Sequence, residues 1–559
     1  MARKLRTSES AAAPKPRSSP TAWIQNHATL IFVAILAVAT VRIAATYSVF
    51  NHTVDEPFHI AVGMQWLDEG KNFYQGEHPP LARIAAAFGP FLLGRHSTGQ
   101  VNRDKEGLDI LYGDGNYQRN LTASRLGILP FFWLSCFVLF AAARARLGEP
   151  VALLAVFLYS FLPPVLAHAG LSTTDMPVTA TLAAAFVAGL MWLERPTPRR
   201  GVLFGAATGL AILSKFSVFV FLPAAAAASL LCYLLACRPA RRTLADTVRR
   251  DLPTFLLAVA TALFVVWAGY RFSIGRVALA GGLPLPFPEL FAGVQQIFTH
   301  NAGGHASYLL GKRSQTGWWY YYPVVLAVKT PLPFLALFFI GFGVSLKKAN
   351  RARPEYWLPL AFSLGILFAS FASHINIGVR HILPVYLGFS VTAATGAFWL
   401  DQQAGKARWA QLVLAALLAW YGATSLLSHP DYIPYTNLLA GDSPERILVD
   451  SDLDWGQDML RLGKRLRELD VQQIAFNPLV PGYFEEFHGF PRITLMQPTR
   501  PTQGWNAASL TMMLAGRLGL GNQFPNAKIW TEGVPPTERV GKSIYLWYVP
   551  DPEALRKNR

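Results

Sequence analysis

Long apolar runs separated by short basic stretches dominate this chain. Runs such as 30–47, 255–270 and 324–345 approach the ~20 residues that a helix needs to cross a hydrocarbon core of ~30 Å. Most charged residues lie between these runs, and Arg42 and Lys329 lie near the ends of two of them, where a long side chain can reach the interface. The pattern predicts a polytopic membrane protein that is all-α within the membrane.

Basic residues follow every second run, so the positive-inside rule places the N-terminus in the cytoplasm. About eleven transmembrane helices result, and an odd number of crossings places the last segment outside. The run 202–236 is too long for one span and is broken at Ser214 and Lys215, so it is predicted to be a hairpin of two spans. The other predicted spans are 124–143, 151–168, 176–193, a ninth that ends near 373, a tenth between 380 and 406, and 411–427.

The hydrophobic pattern changes after residue 427. Residues 428–559 lack long apolar runs and are predicted to form a small extracytoplasmic α/β domain, after a membrane domain at 23–427 and a disordered basic cytoplasmic tail at 1–22. The elements predicted in this last domain are a strand at 447–450, a helix at 456–469, a strand at 473–476 and a closing strand at 543–549.

An acidic run follows the first of these strands. Asp450, Asp452 and Asp454 alternate with the spacing of a calcium-binding loop, but Trp455 occupies the position of the turn glycine and Arg461 replaces the final acid. Capping of the following helix by Asp454 is therefore the favoured interpretation.

The composition agrees with a membrane protein. Hydrophobic residues make up 52% of the chain and charged residues only 15%, so the charged faces of a large soluble protein are missing. The net charge of +17 is spread over short loops rather than one patch, which indicates orientation in the membrane lipid and not a nucleic-acid partner. Cys136, Cys232 and Cys237 lie in apolar segments without metal-ligand spacing.

Ionisable groups collect at the outer ends of the predicted spans, where a charge is expected to pair or to face water. Because they come from distant parts of the sequence but lie at one level, we expect them to converge on a single site. Taken singly, Asp175 could cap a helix, Lys215 could reach the interface, and the histidines could be ordinary loop residues. The set is Asp55 and Glu56 after the first span, Glu77 and His78 in the same outer loop (51–123), Asp175 between spans three and four, Lys215 at the hairpin tip, and Arg380 and His381 before span ten.

These motifs resemble those of the family-39-type glycosyltransferases of the C superfamily, which use lipid carriers and include the protein O-mannosyltransferases and the lipid A aminoarabinose transferase. The resemblance implies the fold of that superfamily (GT-C), with two juxtamembrane helices in the first outer loop at 57–68 and 81–93. It also implies an enzyme of the bacterial inner membrane, with a polyprenyl-phosphate-linked sugar as donor. A hydroxyl on a protein, a lipid A-like glycolipid or a polysaccharide would be the acceptor. The matching stretches are 55–56, 77–81, 174–177, 209–215 and 376–384.

The resemblance also implies roles for individual residues. Asp55 is expected to be the catalytic base. The other members of the set are expected to position the acceptor or a cation (Glu56, Glu77, His78, Asp175) or to bind the lipid phosphate (Lys215, Arg380, His381).

The chemistry of the reaction is compatible with these roles. A hydroxyl that attacks an anomeric carbon must lose its proton, and one carboxylate suffices as general base. The leaving group is already an anionic phosphate, which needs cations rather than a second acid. A single displacement of this kind inverts the anomeric centre, whereas retention requires a carboxylate nucleophile.

Glu77 and His78, with an outer-loop histidine such as His300 or His305, offer ligand types that suit a divalent cation such as Zn, Mn or Mg, although their spacing is not diagnostic. No other cofactor is predicted.

Two other classes of function fit part of the pattern. A membrane transporter would show internal repeats and ionisable groups near mid-membrane, whereas these groups cluster at the outer boundary. A non-catalytic scaffold of envelope glycan assembly would not need the combination of Asp55, Glu77 and Asp175.

Overall fold

The computed structural model describes residues 20–70, 77–237, 241–404, 407–516 and 529–553. The predicted tail at 1–22 lies outside these ranges except where Pro20 begins the first helix. The helices are α1 (Pro20–Ala44), α2 (Glu56–Asp68), α3 (Pro80–Leu92), α4 (Arg103–Tyr112), α5 (Tyr117–Leu126), α6 (Leu129–Leu147), α7 (Glu149–Ser160), α8 (Pro163–Ala169), α9 (Asp175–Glu194), α10 (Pro198–Ser214), α11 (Val218–Cys237), α12 (Arg241–Gly269), α13 (Pro288–Gly303), α14 (Tyr321–Lys329), α15 (Leu332–Ser345), α16 (Pro354–Ser370), α17 (Val385–Ala404), α18 (Arg408–Leu427), α19 (Met459–Glu468), α20 (Phe484–Phe487) and α21 (Leu510–Leu514).

Several helices can cross a membrane. Within the described ranges, six are long and apolar enough, and the number rises to eight if each of two bent helix pairs counts as one span. The protein is therefore a multi-pass membrane protein, and the count of about eleven spans stays a prediction. Between α12 and α14, two small hairpins flank α13: β1 (Ile274–Val277) with β2 (Leu283–Pro286), and β3 (Ser307–Leu309) with β4 (Lys312–Ser314).

Prolines break two of the predicted spans. α7 and α8 meet at 68°, and α14 and α15 meet at 115°. Pro163 follows the first break and Pro331 lies in the second. A proline has no amide hydrogen to donate and disfavours helical conformation in the residue before it, so each helix ends just ahead of it.

Arg42 and Lys329 are buried. The prediction that their side chains reach the membrane interface is therefore wrong. Lys329, the last residue of α14, donates hydrogen bonds of 2.6 Å to the carbonyl oxygens of Ile433 and Asp452. Arg42 donates to the hydroxyl of Ser425 at 2.8 Å and to its carbonyl oxygen. Interior oxygens satisfy both cations, and Lys329 thereby joins α14 to the segment that follows α18.

Helices α2 and α3 occupy the two stretches where the resemblance implies juxtamembrane helices, within one residue of the expected bounds. Pro57 and Pro80 lie in their first turns, where the missing amide hydrogen has no intrahelical partner to lose. The helices pack closely, because a Cβ at Gly63 of α2 would lie 1.9 Å from the carbonyl oxygen of Arg83 in α3. This approach fixes Arg83 relative to α2.

The described part of the last segment contains a five-stranded sheet. Its order is β6-β5-β7-β9-β8, in which the first three strands are parallel and β9 is antiparallel to both neighbours. Met459, Leu462 and Leu466 of α19 are buried with residues of the sheet. The helix and the strands predicted at 473–476 and 543–549 are therefore present. The strands are β5 (Gln473–Asn477), β6 (Arg492–Thr494), β7 (Gly504–Ser509), β8 (Glu538–Val540) and β9 (Ile544–Val549).

The prediction of a strand at 447–450 is wrong. Two 3₁₀ turns, Pro444–Arg446 and Asp450–Asp452, occupy this part of the chain. Asp450 has a φ of 58°, which ends any extended run, and Leu448 and Trp455 join the hydrophobic core of the membrane helices. The segment therefore packs on the helices instead of pairing with the sheet.

Asp454 does not cap α19, which is a second correction. Its carboxylate accepts hydrogen bonds from the amides of Gly456 and Thr511 and from the hydroxyl of Ser509. The residue before α19 is Asp458. Three nearby donors therefore hold Asp454 within the fold of the segment.

Candidate active site

Asp55 and Arg380 meet although the sequence separates them widely. Nη1 of Arg380 donates a hydrogen bond of 2.9 Å to Oδ2 of Asp55. Asp55 lies immediately before α2, and Arg380 lies in a 3₁₀ turn immediately before α17. The Arg380 side chain is buried, whereas 30% of the Asp55 side chain is exposed. The pair therefore has one open side, at the carboxylate.

A second ion pair adjoins the first. Nζ of Lys215, just after α10, lies 2.6 Å from Oδ1 of Asp175, the first residue of α9. The other oxygen of Asp175 lies 3.6 Å from Nη1 of Arg380 and accepts a hydrogen bond from Thr173. Asp55, Asp175, Lys215 and Arg380 thus form one connected group, here called the ion network.

The ion network keeps Arg380 charged. Burial alone would lower the pKa of Arg380, but the carboxylates of Asp55, Asp175 and Asp450 raise it. His381 beside it has a lowered pKa, because it is buried and because Lys215 and Arg380 lie near it. His381 is therefore a neutral imidazole at the edge of the network.

Glu56 lies beside Asp55 in the sequence but is enclosed. Its two oxygens accept hydrogen bonds of 2.9 Å from Nε and Nη2 of Arg125 and further bonds from the amides of Thr53 and Ser172. Burial raises its pKa, but the charge and hydrogen bonds of Arg125 outweigh this effect. The pKa of Glu56 is therefore lowered overall, and Glu56 is ionised. With both side chains essentially unexposed, this pair holds the start of α2 against α5.

Two residues of the last segment hold Arg380, and the sequence did not single them out for this role. Oγ of Ser451 accepts a hydrogen bond of 3.1 Å from Nε of Arg380, and the ring of Trp455 lies 4.2 Å from the guanidinium carbon. Oδ1 of Asp452 also accepts from the amide of Val379 at 3.0 Å. Ser451 and Trp455 are called the Arg380 clamp below. The acidic run at 450–454 was the available sequence signal that this segment contributes to the site.

Asp450 adds a third carboxylate near Arg380. Burial raises its pKa to about 6, although Arg380 and His305 oppose this shift. Its φ of 58° is unusual for a residue with a side chain, and such strained positions are common in functional sites.

Beside the ion network lies a group of polar side chains without hydrogen-bond partners among the described residues. They are the guanidinium of Arg83 and the Nδ1 atoms of His59 and His78. The two imidazole rings are 5.5 Å apart. Burial lowers both histidine pKa values well below their usual range, and the charge of Arg83 lowers them further.

The candidate metal ligands are dispersed. The rings of His300 and His305 are 5.6 Å apart, and Glu77 accepts a hydrogen bond from Gln296. Across the described ranges, no three histidine, cysteine or acidic side chains come together in a way that could hold a metal ion. A divalent cation therefore stays a prediction.

Part of the chain matches a known family model. Residues 118–270 match the model of the dolichyl-phosphate-mannose-protein mannosyltransferases. The matched stretch includes Asp175 and Lys215 of the ion network. No curated protein matches the chain.

The fold has relatives among solved structures. ArnT from Cupriavidus metallidurans bound to undecaprenyl phosphate matches with a TM-score of 0.50 at 19% identity over 74% of this chain and 66% of that one. The same transferase in the apo state matches with a TM-score of 0.49 at 16% identity over 93% and 98% of the two chains. The archaeal oligosaccharyltransferase AglB from Archaeoglobus fulgidus, with an inhibitory peptide and a dolichol-phosphate, gives 0.44 at 12% over 89% and 71%.

The match to the first of these structures spans just under two thirds of that chain. At this identity the likeness concerns the fold. Together with the family model, it confirms the resemblance to the C-superfamily glycosyltransferases that the sequence predicts.

Proposed function

We propose that this protein is an inverting glycosyltransferase that moves a sugar from a polyprenyl-phosphate carrier to a hydroxyl acceptor on the outer face of the membrane. The observation that carries the proposal is the contact between Asp55 and Arg380, which puts a partly exposed carboxylate beside a buried cation. The family model and the fold of the ArnT complex support the same class of reaction.

Asp55 is the general base on this proposal. Its Oδ2 is held by Arg380 at 2.9 Å, which leaves Oδ1 to accept the proton of the acceptor hydroxyl. The new bond forms between the acceptor oxygen and the anomeric carbon. The bond from that carbon to the phosphate oxygen breaks, and its electron pair leaves with the phosphate.

Lys215, Arg380 and His381 stabilise the leaving phosphate. The two cations act through their field while they remain fixed by Asp55 and Asp175, so little rearrangement is needed as negative charge develops. Glu77 positions the acceptor, and Asp175 contributes indirectly because it holds Lys215 and Arg380. Glu56 contributes indirectly by fixing the chain next to Asp55.

The test uses the full-length protein in membranes that contain lipid-linked sugars from the host. We expect wild-type protein to release free polyprenyl phosphate and to add a sugar mass to one class of envelope molecule. Asp55→Asn should abolish both changes, whereas Asp104→Asn, at an exposed carboxylate of the same outer loop, should retain both. A transporter or scaffold would release no polyprenyl phosphate, and equal products from the two variants would exclude Asp55 as the base.

A further inference from the structure

The ion network has no spare positive charge. Lys215 is paired with Asp175 at 2.6 Å, and Arg380 is paired with Asp55 at 2.9 Å. A phosphate that bound directly to either cation would have to share it with the carboxylate of a close ion pair. A cation without a carboxylate partner is therefore the better site for the phosphate to bind first.

Arg83 is such a residue. It lies in the first turns of α3 with only 1% of its surface exposed. All three guanidinium nitrogens lack hydrogen-bond partners, and no carboxylate pairs with it, in the ranges that the structure describes. The ring face of Phe58 lies 4.7 Å from the guanidinium carbon, and burial lowers the pKa of Arg83 more than the charge of Glu77 raises it. A buried arginine is costly unless an anion accepts its hydrogen bonds.

His59 and His78 lie near this cation, with their rings 5.5 Å apart. Each has an unpartnered, buried Nδ1, and the charges of Arg83 and Lys215 act on both rings. A neutral imidazole can donate one hydrogen bond to a phosphate oxygen without adding charge. Arg83, His59 and His78 are called the Arg83 recess.

We propose that the Arg83 recess is the primary binding site for the phosphate of the lipid carrier, while Arg380 and Lys215 stay with their carboxylates. An oxyanion there would satisfy the guanidinium donors and the two imidazoles without breaking the ion network. This inference rests on the proposed function and assigns binding and catalysis to different cations.

Binding of undecaprenyl phosphate to purified full-length protein tests this assignment, with undecaprenol as the uncharged control. Arg83→Gln should weaken binding by about tenfold to a hundredfold, as expected for the loss of a charge-assisted contact. Arg103→Gln should bind within about twofold of wild type. Arg103 is a matched control, because its guanidinium lies 4.0 Å from the same Phe58 ring but is more exposed.

A second arm separates binding from turnover. Arg380→Gln should still bind the lipid phosphate but lose sugar transfer. The opposite pattern, in which Arg83→Gln binds normally and Arg380→Gln does not, would overturn the Arg83 assignment and leave the proposed function intact. If wild-type protein binds undecaprenyl phosphate no better than undecaprenol, the proposed function itself fails.

Folding is controlled within the same experiment. Because Arg83→Gln removes an unpaired buried charge, its unfolding temperature without lipid should equal or exceed that of wild type, and only the increase caused by lipid phosphate should disappear. Should that variant not fold, His78→Gln carries the test through the same loss of lipid-induced stabilisation, and normal stabilisation would contradict the recess.

Discussion

Asp55 and Glu56 are neighbours in the sequence with opposite environments. Glu56 is 0% exposed, and both of its oxygens are occupied by Arg125 and by backbone amides. Asp55 is 30% exposed, and within the described ranges only one of its oxygens is held, by Arg380. Both acids have an arginine partner, so the pairing alone does not separate them. The difference is that one carboxylate oxygen of Asp55 has no hydrogen-bond partner among the described residues.

This difference distinguishes structural from chemical use of an ion pair. A buried pair with every donor and acceptor satisfied stabilises the fold only while both partners are present. A pair with one open oxygen can accept a proton from a third molecule. The two acids should therefore respond to substitution in different observables.

Substitution of Asp55 is expected to have the largest effect and to affect turnover. Asp55→Asn should reduce sugar transfer by roughly 10²–10⁴-fold, the usual contribution of a general base. The free energy of unfolding should change by less than about 1 kcal/mol, because the pair is partly solvated. Initial rates and unfolding curves of the same preparation measure both, and a stability loss equal to the activity loss would contradict the distinction.

Substitution of Glu56 should affect stability instead. Glu56→Gln leaves the buried charge of Arg125 unpaired and should cost about 3–5 kcal/mol in the free energy of unfolding. The double variant Glu56→Gln with Arg125→Met should recover part of this loss, because it removes both charges. Unfolding midpoints in detergent measure the effect. A double variant less stable than either single variant would show that the ion pair is not the cause.

The raised pKa of a third carboxylate, Asp450, should be visible in the pH dependence of stability. Its pKa is raised from 3.8 to about 6 in the folded protein, so the folded state keeps a proton that the unfolded state loses. Its contribution to stability is therefore fully present below about pH 4 and is lost as the pH rises through about 6, by up to about 3 kcal/mol. Asp450→Asn should remove this part of the slope in a series of unfolding measurements against pH. An unchanged slope would refute the raised pKa.

The Arg380 clamp should give the smallest effect. Ser451→Ala removes one acceptor of Arg380 and should lower the rate of transfer by about fivefold, corresponding to ~1 kcal/mol, with little change in lipid binding. Ser443→Ala in the same segment is the control. A weaker lipid affinity with an unchanged rate would mean that Ser451 acts on binding rather than on the orientation of Arg380.

The sequence predicted those parts of the fold that depend on local pattern. The convergence of Asp55, Asp175, Lys215 and Arg380 follows from charges at the ends of apolar runs. The bounds of α2 and α3 came instead from the family resemblance, and prolines in their first turns agree with them. The breaks at Pro163 and Pro331 were missed because the hydrophobicity of the runs continues through them.

Contacts between distant segments could not be derived in this way. The last segment was treated as a separate domain because its composition differs, so Ser451 and Trp455 were not expected at Arg380. Arg83 was hidden for another reason, because an arginine three residues into a helix usually reaches solvent. Its burial results from the close packing of α2 on α3 at Gly63.

The Arg380 clamp also bears on the order of events during biosynthesis. The ribosome translates Arg380 well before Ser451 and Trp455, so the guanidinium has no clamp until the later segment folds onto the inserted helices. A nascent or truncated chain would therefore lack the clamp and would hold Arg380 less firmly. The orientation of Arg380 would be complete only once the last segment has docked onto the helices.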